Sequence, residues 1–180
     1  MQPTAKQLHK LIARDEIYDL VCTYMRAQDR LDAALHRSVF WDDAYLDYGF
    51  YLGGPDGFVE FAQGALKKYR TCHHLIGQVQ IEIERKGKEA FGEVYYQAYH
   101  QGADESGQTI DRIIAGRYID RYEQRNGTWR IAYRTELCDW ARSDISKDEF
   151  FRDSLMPRGA KYPEDRIYQR DSFHAPGETL

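Results

Sequence analysis

Two residues, Asn126-Gly127, lie between "TIDRIIAGRYIDRYEQ" and "TWRIAYRTELCDWAR", and they limit most sharply what this chain can become. Asn-Gly between alternating apolar stretches signals a two-residue hairpin, because both positions accept the positive φ that matches the twist of paired strands. Two further strand-like segments precede this hairpin. In "HLIGQVQIEIE", Leu75, Val79, Ile81 and Ile83 alternate with polar residues; Lys86-Gly87-Lys88 reads as a turn, and "AFGEVYYQAYHQG" follows. Four long strands with short connections predict an antiparallel sheet over the second half of the chain.

The first half reads differently. From Lys6 to about Leu35 there is no Pro or Gly, and Leu8, Leu11, Ile12, Ile17, Leu20, Val21, Tyr24, Met25, Leu31 and Leu35 recur at three- and four-residue steps. That is the period of an amphipathic helix, with a break expected near Gln28 to Leu31. "LGGPDGFVEFAQGALKKY" offers a Gly-Gly-Pro turn, Asp56 as N-cap, and a short helix with Phe58, Phe61, Ala62 and Leu66 facing inward. Helices followed by strands predict an α+β fold: a cone-shaped, curled antiparallel sheet packed around N-terminal helices, with a pocket inside the cone. At 180 residues and 42% hydrophobic content the chain suffices for one core. We expect the barrel over residues 1–142 and, where the pattern fades after Ser143, a tail over residues 143–180 packing on the domain or on a neighbouring subunit.

Charge narrows the function. With 25 Lys and Arg against 29 Asp and Glu and no basic block, nothing favours nucleic acid or an anionic membrane. No apolar run is long enough to span a bilayer, and "MQPTAKQLHKLIARDE" lacks the apolar core of a signal peptide, so a cytoplasmic protein is expected. Cys22, Cys72 and Cys138 are odd in number, far apart and without a C-x-x-C pair, which argues against a disulfide framework or zinc ribbon and predicts buried small residues.

Polar groups aimed into the pocket are the candidates for chemistry, since burying one unpaired costs about 1–3 kcal/mol. Asp29 follows Val21 and Met25 along the helix stripe and should face inward near the helix end; the alternative is a solvated "DRLD" cluster in which it pairs with Arg26. In "RTCHHLIG", strand alternation sends His73 and His74 to opposite faces. His73 shares parity with Leu75, Val79 and Ile81, which favours it for the interior unless a bulge resets the alternation. Either histidine could instead be purely structural. No zinc-ligand spacing accompanies them.

"HHLIGQVQIEIE", "GRYIDRYEQRNGTWRIAYR" and "DDAYLDYG" resemble the SnoaL-like branch of the nuclear-transport-factor-two superfamily, over roughly residues 10–140. The similarity is to its scytalone dehydratase, bile acid 7α-dehydratase and hexachlorocyclohexane dehydrochlorinase groups. It implies a cone-shaped, cystatin-like α+β barrel and, against the parity reading, a base at His74 of "HLIG" paired with Asp29 of "YMRAQD". It further implies pocket roles for Tyr24, five residues before that aspartate, Tyr48 of "LDYG", His100 of "YYQAYH" and Arg134 of "WRIAYR". Gln28, Gly116 and Tyr118 depart from the scytalone dehydratase pattern, which argues against scytalone itself as substrate. The ending "DSFHAPG" is similar to the dehydrochlorinase tail that helps close the pocket of a trimer, so a homo-oligomer, dimer or trimer, is implied.

Together these expectations describe a cofactor-free lyase acting on a small hydrophobic cyclic or polycyclic substrate. Imidazoles titrate near neutrality and suit proton abstraction from carbon. In this scheme His74 is the base, Asp29 fixes its tautomer, Tyr24 and Tyr48 donate hydrogen bonds, Arg134 stabilises negative charge and His100 protonates the leaving group. Each role has a structural rival: Tyr24 as core, and Arg134 as the same-face partner of Glu136. The alternatives are the non-catalytic β subunit of a ring-hydroxylating dioxygenase, a ketosteroid-isomerase-like isomerase, and a ligand-binding protein.

Overall fold

A computed structural model describes residues 2–84, 86–148 and 154–170. Helix α1 spans Ala5–Arg30 and opens on Thr4, whose hydroxyl accepts from the Gln7 backbone while the Gln7 side chain returns to Thr4. This reciprocal cap satisfies two of the helix's orphan N–H donors. The helix stops at Leu31, which turns left-handed at φ 55°, inside the expected break. A second, short helix follows, α2 (Ala33–Ser38), capped by Asp32.

The strands are β1 (Phe40–Asp47), β2 (Leu52–Gly53), β3 (Thr71–Ile83), β4 (Glu89–Ala103), β5 (Thr109–Arg125) and β6 (Thr128–Ile145), with helix α3 (Pro55–Leu66) between β2 and β3. They form one sheet ordered β2-β1-β6-β5-β4-β3. The four strands β3 to β6 pair antiparallel in succession, and Asn126 and Gly127 take the positive φ values (52° and 81°) that the hairpin requires. The fold is α+β, with one addition: β1, absent from the sequence reading, runs parallel to β6, so the sheet is mixed.

Three local expectations are corrected. The N-cap of α3 is Gly54, with Pro55 at the first helical position; Asp56 lies in the first turn and pairs with Arg37. Phe61 lines the cavity yet is 45% exposed, and Leu8, Leu11 and Ile12 are exposed, the first turns of α1 meeting the sheet through polar His9 and Arg14 at the Gly87 and Ile81 carbonyls. Only Cys72 is buried; Cys22 is half-buried and Cys138 exposed.

The core lies between the concave face of the sheet and the helices, around Ile17, Val21, Tyr24, Phe40, Leu46, Phe58, Tyr118, Tyr122 and Ile131. Each such side chain withdrawn from water contributes about 1.5–3 kcal/mol. Beyond β6, Tyr162 donates its N–H to the Arg30 carbonyl (2.6 Å), Lys161 Nζ donates to the Asp29 carbonyl (3.1 Å), and Arg30 reaches Ala160 and Asp165. These contacts hold residues 160–165 against the C-terminal end of α1. The "DSFHAPG" ending lies outside the described residues.

Glycine at position 116 is enforced by geometry. β6 carries a bulge at Asp139, between the Ala115–Trp140 and Gly116–Cys138 pairs, and a Cβ on residue 116 would stand 1.9 Å from the Leu137 carbonyl oxygen. Backbone cannot yield as a side-chain tip can. Gly116→Ala is therefore expected to cost at least about 2 kcal/mol in denaturant unfolding, with the bulge and the cavity wall displaced together.

Candidate active site

Asp29 ends the inward stripe of α1, one turn beyond Met25, and its carboxylate turns to His74 rather than Arg26. Oδ1 accepts from His74 Nδ1 at 2.7 Å, and both oxygens lie 3.1 Å from the His74 backbone N. The two side chains are only 5% and 8% exposed for His74 and Asp29. A carboxylate that accepts both the backbone N–H and the ring N–H of one residue fixes that ring in place. With Nδ1 committed, Nε2 is the nitrogen left for chemistry.

The inward histidine is thus His74, and His73 is exposed. The parity argument fails at a register shift between Ile76 and Val79: Cys72, His74 and Ile76 face in before it, whereas Val79, Ile81 and Ile83 face in after it. An extra residue flips every side chain upstream to the other face.

His74 stands in the wall of a cavity of about 340 Å³ between the sheet and α3. Phe50, Phe58, Leu66, Ala98 and Ile114 make the lining mainly apolar, and its polar groups come from Gln28, Tyr48, His74, Tyr96, His100, Tyr118 and Glu136. This volume falls at the small end of small-molecule sites. Tyr48 stacks on Phe58 with ring centroids 4.3 Å apart and shares a 2.7 Å hydrogen bond with the Tyr24 hydroxyl. Tyr24 itself is fully buried behind Tyr48 and does not line the cavity.

Arg134 also lies behind the wall. Its guanidinium donates to Asp120 at 2.7 and 2.6 Å, with both side chains 0% exposed, and it is held between the Tyr24 and Tyr118 rings at 4.2 and 4.1 Å. The structural rival, a pairing with Glu136, is not what forms: the bidentate bond goes to Asp120. A direct substrate contact is not what its position offers; it supplies a fixed positive charge under two tyrosines. Sequence reasoning missed Asp120, although alternation with Tyr118 and Tyr122 places it on the inward face, where Tyr122 donates to it at 2.6 Å.

His100 lies opposite Cys72 on β4, stacked on Tyr69 (4.8 Å) and 5.2 Å from the His74 ring. Burial, then the charge of His74, push its imidazole down to about 4. At neutral pH it is uncharged, which makes it a poor source of a proton for a leaving group. Glu136, which the sequence reading treated only as a neighbour of Arg134, lines the cavity, and burial raises its carboxyl above the ordinary value.

A third histidine, His36, is fully buried among Tyr24, Phe40 and Phe58, accepting at Nδ1 from the Gln63 amide at 3.1 Å. Burial, then the charges of Arg134 and His74, lower it from 6.5 to about 3. A depressed histidine contributes stability that is present above the unfolded value and lost as pH falls, because the unfolded chain binds the proton first. We expect the protein to lose on the order of 3 kcal/mol through this group between pH 7 and pH 4. His36→Phe should flatten that part of the pH–stability curve, as measured by urea unfolding at each pH.

A curled sheet closed by helices over an apolar hollow is an α+β, cystatin-like fold. The chain belongs to the SnoaL-like domain family, which it matches over residues 9–135. It is 29% identical over 138 residues to the gamma-hexachlorocyclohexane dehydrochlorinase of Sphingobium indicum, a match covering 74% of this chain and 85% of that relative. A scytalone dehydratase-like protein of Novosphingobium aromaticivorans superposes with a TM-score of 0.66 at 17% identity, over 86% of this chain and 96% of its own. The β subunit of an aromatic-ring-hydroxylating dioxygenase-like protein from the same organism gives a TM-score of 0.58 at 25% identity, over 74% and 93%. No helix among the described residues is long and apolar enough to cross a membrane.

Proposed function

We propose that this protein is a cofactor-free lyase that eliminates water or another leaving group from a small cyclic substrate, with His74 as the general base. The observation that carries this reading is the 2.7 Å contact between His74 Nδ1 and Asp29 in the wall of an apolar cavity. A carboxylate oriented on one imidazole nitrogen makes the other a fixed proton acceptor and stabilises the imidazolium that forms on reaction. Tyr48, backed by Tyr24, donates a hydrogen bond to the activating oxygen of the substrate. The buried charge of Arg134 favours negative charge developing there, through Tyr24 and Tyr118. The family and its dehydrochlorinase relative support elimination as the reaction class. A cavity of about 340 Å³ favours a compact, one- or two-ring substrate over a larger polycycle.

The likeness to a dioxygenase β subunit favours a second reading, an assembly subunit without catalysis of its own. Against it stands the ionisable pair at the cavity wall, which assembly does not require. Purification separates the two: a lyase forms its own homo-oligomer, whereas a β subunit needs a metal-bearing partner. The reaction is tested by incubating the protein in D₂O with 3-hydroxycyclohexanone and following deuterium entry beside the carbonyl together with alkene formation. His74-dependent exchange with alkene supports the lyase. On cyclohex-3-en-1-one, exchange with migration of the double bond into conjugation, without alkene formation from the hydroxyketone, makes the protein an isomerase, and no exchange with any of a panel of cyclic ketones leaves a binding protein.

A further inference from the structure

We propose, building on the lyase reading, that Glu136 is the general acid of the reaction and that the leaving group is one that must take up a proton, a hydroxyl rather than a halide. Glu136 extends from β6 opposite Tyr118 on β5, and Tyr118 stacks on Tyr96 of β4 at 4.5 Å, so the carboxyl sits on the concave face among these tyrosines. It lines the same cavity as His74, reached from β6 while His74 enters from β3 at the other side of the sheet. A substrate held between them presents one carbon to the base and another to the acid.

The surroundings decide which proton state suits the task. Arg134, whose charge acts on Glu136, spends two N–H donors on Asp120, and among the described residues no ion pair to Glu136 forms. The other groups facing it are the hydroxyls of Tyr24, Tyr48, Tyr96 and Tyr118, all held above the ordinary phenol value chiefly by burial, and the His74 ring. Burial raises the carboxyl, and Tyr96, Arg134 and His74 only partly offset this. A substrate that displaces water from the cavity pushes it further the same way. Glu136 is thus held toward its protonated, proton-donating form on the cavity wall that also carries His74, while His100, pushed down to about 4, stays neutral.

The step balances. His74 Nε2 takes the proton from the carbon beside the activating group, and the C–H electron pair becomes the new C=C bond. The C–O bond on the next carbon breaks, and its oxygen takes the Glu136 proton and leaves as water. The protein is left with an imidazolium and a carboxylate, which return to the starting state by passing one proton through solvent.

Two measurements test the assignment. The infrared titration of the free protein minus that of Glu136→Gln should leave one protonated-carboxyl band whose midpoint lies above 4.5 and moves up when the cavity is filled with cyclohexanone. No band in that difference, or a midpoint at or below the ordinary value, overturns the proposal. Kinetically, Glu136→Gln should slow water loss from 3-hydroxycyclohexanone about 100-fold or more, and raise by that factor the ratio of chloride loss from 3-chlorocyclohexanone to water loss. An equal fall for both compounds contradicts the acid role and leaves the base untouched. If the wild type turns over neither, the lyase reading fails and Glu136's role falls with it, an outcome the silent His74-dependent exchange identifies separately.

Discussion

Asp29→Asn is expected to lower elimination by about 10³–10⁴-fold while the protein stays folded. The substitution keeps the shape of the side chain and one oxygen for the His74 backbone N–H, which the carboxylate now holds at 3.1 Å. The amide must then turn its NH₂ toward Nδ1 and donate. That forces the ring proton onto Nε2, so the imidazole presents a hydrogen to the cavity where a lone pair is required. An additional loss comes from the imidazolium, which no longer has a negative partner at 2.7 Å when it forms. Unchanged far-ultraviolet circular dichroism and a small change in denaturation midpoint would separate this effect from misfolding. A reduction of less than tenfold would mean that Asp29 does not set the tautomer.

The second large effect concerns stability. Asp120 and Arg134 are both sealed from solvent, and the guanidinium cannot escape its charge by losing a proton. Asp120→Ala leaves that charge between two tyrosine rings with its two strongest acceptors gone, and the Tyr122 hydroxyl loses its partner as well. The expected cost is about 3–5 kcal/mol. For a chain of this size that is roughly 10 °C in melting temperature. The double variant Asp120→Leu with Arg134→Met should recover much of the loss, because it removes both charges together and keeps apolar volume in place. Activity should not return with stability in that double variant, since the positive charge under Tyr24 and Tyr118 is gone.

Much of this molecule was legible from local chemistry. The helix break at Leu31 follows the end of an apolar stripe, and the hairpin at Asn126-Gly127 needs only two residues that tolerate positive φ. Asp29 was readable as inward because it continues the Val21–Met25 ladder, a signal carried within one helix. What local signals did not carry were the pairings set by distant segments. β1 was missed because Asp42 and Asp43 interrupt its apolar pattern, and its parallel pairing with β6 has no turn to announce it. The choice between His73 and His74 could not come from alternation, since the register shift beyond Ile76 is a property of the β3–β4 pair. The family resemblance supplied His74, and the geometry gives the physical reason. Arg134 was recognised as important and its partner missed: Glu136, weighed as an alternative partner, is nearer in sequence, but Asp120, directly across the β5–β6 pair, is where the guanidinium points.

Adjacent histidines on opposite faces of one strand offer the sharpest comparison, because they share a backbone and differ in which side of the sheet they meet. The measurement is the rate of proton exchange and product formation for His73→Ala and His74→Ala, side by side on the same cyclic ketone. His73→Ala should run at close to the wild-type rate, and His74→Ala should fall to the uncatalysed background. An inactive His73→Ala beside an active His74→Ala would contradict the proposed base.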